Sequence, residues 1–188
     1  MQGNGKLIYP DQSNYSGELT NGIPEGTGTI IFPDGSNYTG QWTDGKINGF
    51  GTAKYSNGQV YTGNFKSGKN HGKGKMTFGD GYSYDGLWLN GLFEGLGKAE
   101  YTDGSIYEGN FNEGKREGLG KITMADGSVF EGSFKNGQIN GEGIAIYPNG
   151  DRYEGLFRNG KREGKGKIIY KSGETYQGSW KNNKILSD

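Results

Sequence analysis

The chain has 188 residues, among them 39 Gly, 13 Tyr, 9 Phe and 3 Trp, no Cys, and 21 basic against 21 acidic side chains. Zero net charge argues against a general nucleic-acid binder. Without Cys there is neither a disulfide framework nor a thiolate zinc site, and no stretch reads as a transmembrane helix or a signal sequence, so a cytoplasmic location is expected. Glycine this abundant usually marks disorder. Here it recurs in register with aromatic residues, and no window has the apolar spacing of a helix.

Taken in order, the chain opens with a half repeat over residues 1–14, whose strand runs from about Gly3 to Tyr9. Full repeats then begin at residues 15, 38, 61, 84, 107, 130 and 153, and a half repeat over 176–188 closes the chain. Each begins on an aromatic residue (Tyr15, Tyr38, Tyr61, Tyr84, Tyr107, Phe130, Tyr153, Tyr176), 23 residues after the last, without insertion. A fixed period of this length signals a repeat array.

Within one repeat, Tyr38, Gly40 and Trp42 alternate, as do Gly49, Gly51, Ala53 and Tyr55. Alternation places each set on one face of a strand, so each repeat is a hairpin with an aromatic and glycine face and a polar face. Tyr55 and Tyr61 share a face only across an odd loop. This predicts a three-residue turn, Ser56-Asn57-Gly58, with Gly58 left-handed as a G1 bulge. Trp42 and Gly49 share a face only across an even loop, placed at residues 44–47. The register then sets Lys75 opposite Asp85, Lys98 opposite Glu108 and Lys121 opposite Glu131, and lapses to Ile144 with Glu154 and Lys167 with Gln177. The expected fold is all-β: an open, single-layer antiparallel hairpin strip, solenoid-like, of about sixteen strands.

A second period of 46 residues overlies the first. Trp in the first strand accompanies Ala in the second, and Phe mostly Ile or Met, a volume compensation to which Phe134 with Ala145 is the exception. Hairpin tips alternate as well, Ile47, Phe93 and Ile139 against Asn70, Arg116 and Arg162. Either the array grew by duplicating pairs, or alternate tips face different surroundings.

The pattern Tyr-x-Gly-x-Trp/Phe, followed by Gly-x-Gly and Tyr-x-Asn/Asp-Gly, resembles the MORN (membrane occupation and recognition nexus) repeat, and the resemblance covers nearly the whole chain. It implies a repeat strip acting through its surfaces. All-repeat relatives of this kind are associated with cytoskeletal assemblies, including cilia, so a cytoskeletal or ciliary location and partners in a multi-subunit assembly are expected. The family's link to anionic phospholipids implies the alternative, a peripheral phosphoinositide-binding module.

An enzyme needs a singular constellation, and this chain repeats one environment, so no catalytic residue, cofactor or metal is expected. His71 holds a position that is Glu or Asn in other repeats and reads as a tip residue. Residues 160–165 (Gly-Lys-Arg-Glu-Gly-Lys) miss the phosphate-loop spacing and the following helix. Three surfaces remain. Leu87 and Leu89 make an otherwise polar face apolar, and with Leu92, Phe93, Leu96 and Leu119 they read as a partner contact, since exposed apolar patches mark contacts. The rings of Tyr38, Trp42, Tyr61, Tyr84, Trp88 and Tyr107 either cover one another or line a groove for an external segment. The tips Lys69, Lys115, Arg116, Lys161 and Arg162 are the lipid-binding candidates. Unpaired end strands would invite homodimerisation, with the tail from Lys184 to Asp188 placed to cap one edge.

Overall fold

The computed structural model describes residues 1–186. It falls into two units, Met1–Leu92 and Phe93–Asp188. The first holds β1 (Gln2–Ile8), β2 (Asn14–Thr20), β3 (Ile23–Ile31), β4 (Asn37–Thr43), β5 (Lys46–Lys54), β6 (Val60–Lys66), β7 (Lys69–Thr77) and β8 (Ser83–Leu89). Each pairs antiparallel with the next. The second runs from β9 (Leu92–Glu100) through β10 (Ile106–Asn112), β11 (Lys115–Thr123), β12 (Val129–Lys135), β13 (Gln138–Ile146), β14 (Arg152–Arg158), β15 (Lys161–Ile169) and β16 (Thr175–Lys181) to β17 (Lys184–Ile185). It is likewise antiparallel between sequence neighbours. Both units are all-β, single-layer and built of hairpins, as expected. The strands number seventeen among the described residues instead of sixteen, because Lys184 and Ile185 pair with Lys181 and Trp180. Part of the expected cap therefore forms; Ser187 and Asp188 lie outside the described residues.

Turns between repeats have the predicted form. The Tyr55 carbonyl accepts the Gly58 N–H at 3.0 Å, the Tyr55 N–H donates to the Gln59 carbonyl at 2.8 Å, and Gly58 has φ 84°. Cross-strand pairs also match: Lys75 with Asp85, Lys98 with Glu108, Lys121 with Glu131, Ile144 with Glu154 and Lys167 with Gln177. The closest ion pairs run along a strand, however: Lys98 Nζ lies 2.7 Å from Glu100, and Arg152 pairs with Glu154.

The turn within a repeat differs from expectation. It is a two-residue turn at Asp44 (φ 49°) and Gly45 (φ 71°), both left-handed, the signature of type I′. Asn fills its first position in most repeats, because Asn tolerates this region better than most residues. Trp42 therefore faces Ile47, not Gly49, while Gly40 still faces Gly51. The difference is absorbed by a bulge over residues 48–50 of β5. Gln41 Oε1 accepts the Phe50 N–H at 2.6 Å there, so the bulged amide keeps a partner.

The core is a row of rings lying on glycine backbone. The Tyr38 hydroxyl donates to the Gln41 carbonyl at 2.9 Å, which lays the ring along Gly40 and Gly51. Rings of successive repeats then meet edge to face. In the first unit, Tyr38 lies 5.7 Å from Trp42 and 4.9 Å from Phe65, and Tyr61 lies 4.9 Å from Phe65 and 5.2 Å from Trp88. In the second, Tyr107, Phe134, Phe130, Phe157, Tyr153 and Trp180 continue the same alternation at 4.9–5.4 Å. Each such pair adds about 0.5–1.5 kcal/mol beyond burial. Indole N–H groups have partners too: Trp42 Nε1 donates to Gly28 O at 3.1 Å and Trp88 Nε1 to Gly74 O at 2.9 Å.

Candidate interaction surfaces

With the rings committed to the core, the opposite face of each strip carries the accessible chemistry. In the second unit that face forms a groove of about 840 Å³. Its floor includes glycine backbone at Gly109, Gly120, Gly132 and Gly143, whose open sides face the rings of Tyr107 and Phe130 beneath. Leu96, Leu119 and Ile144 supply apolar wall, and Glu108, Glu131, Glu142 and Glu154 stand against the single Lys121. Leu96 (65% exposed) and Leu119 (68% exposed) flank Asn110, which pairs with Leu96 and donates from Nδ2 to the Leu119 carbonyl at 3.2 Å. The groove is thus acidic with apolar banks.

In the first unit, Leu87, Leu89 and Leu92 are exposed. Leu87 occupies the position where Gln41 ties down its bulge, so it forgoes that hydrogen bond for an apolar surface. The structure adds Phe50, 55% exposed and opposite Asn64 on the same outer face. Sequence reasoning missed it because it is a single aromatic at a bulge position that varies among Thr27, Lys73, Leu96 and Glu142. Phe93 belongs elsewhere: it lies 5.8 Å from Phe111, edge to face, on the ring side.

The two alternatives for the ring row are resolved towards self-coverage. Tyr61, Tyr84 and Tyr107 are 0% exposed, and Tyr38, Trp42 and Trp88 are buried as well. Burial pushes the hydroxyls of Tyr38, Tyr61 and Tyr107 up to about 12. These six rings are thus covered chiefly by one another, and Trp42 also borders a pocket beside Tyr9.

A profile of the MORN repeat matches nine consecutive segments, 1–14, 15–37, 38–60, 61–81, 84–106, 107–129, 130–152, 153–175 and 176–185. The chain belongs to the MORN-repeat family. In the comparison with curated proteins nothing matches. Among solved structures, this MORN strip is similar to the TCP domain of Drosophila melanogaster SAS-4 in complex with a proline-rich motif of Ana2. The TM-score is 0.52 at 13% identity, covering 94% of this chain and 90% of that one. It is similar also to the TCP10 domain of Danio rerio CPAP in complex with a STIL peptide, with TM-score 0.51, 12% identity and coverage of 94% and 84%. A CPAP G-box domain, described as suggesting a role in centriole elongation, gives TM-score 0.51 at 12% identity, covering 95% and 100%. At such identity the likeness is one of fold.

The basic tips divide in two. Lys69, Lys115 and Lys161 are exposed beside the hairpin turns. Arg116 and Arg162 are instead drawn over rings: Arg116 lies 5.4 Å from the Phe134 ring centre and Arg162 4.3 Å from that of Trp180. The glutamates beside them act as clasps. Glu117 Oε2 accepts the Asn136 N–H of the next hairpin turn at 2.8 Å, and Glu163 Oε2 that of Asn182 at 3.0 Å. His71 holds the same position in its repeat, where its Nδ1 is buried without a hydrogen-bond partner. Among the described residues no cluster of three metal-ligating side chains occurs.

Proposed function

We propose that this MORN strip is a non-catalytic interaction scaffold, holding protein partners within a larger, cytoskeleton-associated assembly through the outer face of its strands. The groove of the second unit carries the reading. Exposed leucines beside four carboxylates suit a partner segment that is basic and apolar. Support comes also from the fold neighbours, two of which are held in complex with a peptide of a partner protein. A ciliary location belongs to the same proposal, as does end-to-end pairing of the chain through β1.

The lipid-binding alternative loses ground on one observation. Two of its five cations, Arg116 and Arg162, are engaged by rings of the chain itself, and each basic residue would contribute only about 1 kcal/mol at an anionic bilayer. The two readings separate on purification of the native protein without detergent, with bound proteins identified by mass spectrometry and the purified chain sedimented with phosphatidylserine–phosphoinositide vesicles. A defined set of retained proteins, with no vesicle binding, is expected. A chain recovered alone that sediments with vesicles at low salt would overturn the scaffold reading.

A further inference from the structure

In the second unit, two arginines fill equivalent ring cages. The Arg116 guanidinium carbon lies 5.8, 5.6 and 5.4 Å from the ring centres of Tyr101, Tyr107 and Phe134, and Nη2 donates to the Gly137 carbonyl. Arg162 lies 5.8, 5.6 and 4.3 Å from Tyr147, Tyr153 and Trp180, and Nη2 donates to the Asn183 carbonyl at 2.9 Å. Every member of the second set stands 46 residues after its counterpart in the first. One cage thus recurs with the double repeat: three rings, one turn carbonyl and one guanidinium.

Moving the Arg116 set back by 92 residues gives Tyr9, Tyr15, Trp42 and Gly45, with the arginine replaced by Pro24. The rings and the carbonyl are retained and the cation is lost. Proline is too short to fill the space. A pocket of about 500 Å³ lies beside it, lined by Tyr9, Trp42 and Gly45 together with Ile30, Phe32, Asp11 and Ile47, while Tyr15 is buried behind the Trp42 ring at 5.0 Å. Among the described residues nothing donates to the Gly45 carbonyl, the counterpart of the acceptors that Arg116 and Arg162 use. Asp11 Oδ1 accepts the Ser13 N–H at 3.0 Å and the Ser13 Oγ–H at 2.6 Å, which holds its carboxyl below the usual range and keeps it charged. Lys46, the one basic side chain of the wall, is exposed.

We propose that this pocket takes the guanidinium of an arginine presented by a partner protein, with Tyr9, Trp42 and the Gly45 carbonyl holding it as their counterparts hold Arg116 and Arg162. The site is on the ring side of the first unit. That the arginine comes from a partner protein rests on the scaffold reading; that the pocket selects a guanidinium does not. Guanidinium over aromatic faces is a favourable arrangement, and its planar fork suits a carbonyl and a carboxylate at once.

The test is an NMR titration of the full ¹⁵N-labelled chain with N-acetyl-arginine-methylamide, its uncharged citrulline analogue and the leucine analogue. The Trp42 indole N–H is the reporter, assigned by its loss in Trp42→Phe. The arginine probe is expected to move that signal and to bind roughly two- to fivefold more tightly than the citrulline probe, the ratio one exposed cation–π contact gives. Pro24→Arg should fill the pocket from within and abolish the response, with the Trp88 and Trp180 signals unmoved. Equal binding of arginine and citrulline, tighter binding of leucine, or no response at Trp42 in the unaltered chain would overturn the proposal and leave the outer-face reading standing.

Discussion

The ring of Tyr38 lies so close to Gly51 on the neighbouring strand that a Cβ built there would stand 2.5 Å from it. Gly51 is therefore present for the space above it, and the array repeats this contact at Gly28 under Tyr15, Gly74 under Tyr61 and Gly120 under Tyr107. Gly51→Ala must lift the ring and break its edge contacts with Trp42 and Phe65. A loss of about 1–3 kcal/mol is expected, the range for overpacking. Gly3→Ala, which meets nothing within 4 Å, should change stability by less than about 0.5 kcal/mol. Urea unfolding of both variants checks the contrast.

Ring coverage has a spectroscopic consequence. Trp42, Trp88 and Trp180 are 5%, 4% and 3% exposed. The isolated protein should emit in the blue-shifted range of buried indole and resist iodide quenching. Red-shifted, readily quenched emission would mean that the ring row stands open.

The pH dependence follows from the same burial. The Tyr38, Tyr61 and Tyr107 hydroxyls, pushed up to about 12, hold their protons more tightly when folded than in the unfolded chain, where tyrosine ionises near 10. Their contribution is fully present below pH ~10 and is lost as pH rises through about 12. At the acid end, hydrogen bonds from Ser36, Ser105 and Ser128 hold Asp34, Asp103 and Asp126 below the usual carboxylate range. Their contribution is present above pH ~4 and lost as pH falls further. Denaturation midpoints between pH 2 and 12 should form a plateau with both flanks, and an alkaline fall centred below pH 10 would contradict the buried hydroxyls.

The glutamate clasps predict a graded pair. Glu117→Ala removes the acceptor of the Asn136 N–H and should cost about 1 kcal/mol. Glu117→Gln keeps an acceptor oxygen and should recover most of that loss in the same unfolding measurement. Equal losses for Ala and Gln would show that the charge, not the hydrogen bond, matters.

Much of this architecture was legible in the sequence, because side-chain parity sets strand faces and the turn pair Asn57-Gly58 sets its own geometry. Parity cannot distinguish a four-residue loop at 44–47 from a two-residue turn followed by a bulge, since both keep Trp42 on its face. That is why the Asp44-Gly45 turn and the exposed Phe50 emerged only in three dimensions. The arginine cages were hidden for a different reason. Tyr101, Tyr107 and Phe134 come from three separate segments, and only folding brings them around Arg116. Read one-dimensionally, the same arginine looked like a tip cation for a membrane. The leucine surface was legible at Leu96 and Leu119, where an apolar residue interrupts a polar column, but not at Phe93, whose ring turns to Phe111.

The central claim is that the ring row folds the protein and the leucine-lined outer face holds the scaffold's partner segment. The Leu96→Asp/Leu119→Asp double variant tests it most directly. Both side chains are largely exposed, so thermal unfolding should match the unaltered chain to within the small effect of surface changes. Native partner proteins retained by the unaltered chain in affinity purification should be lost. Retention of the same partners by a fully folded double variant would contradict the account.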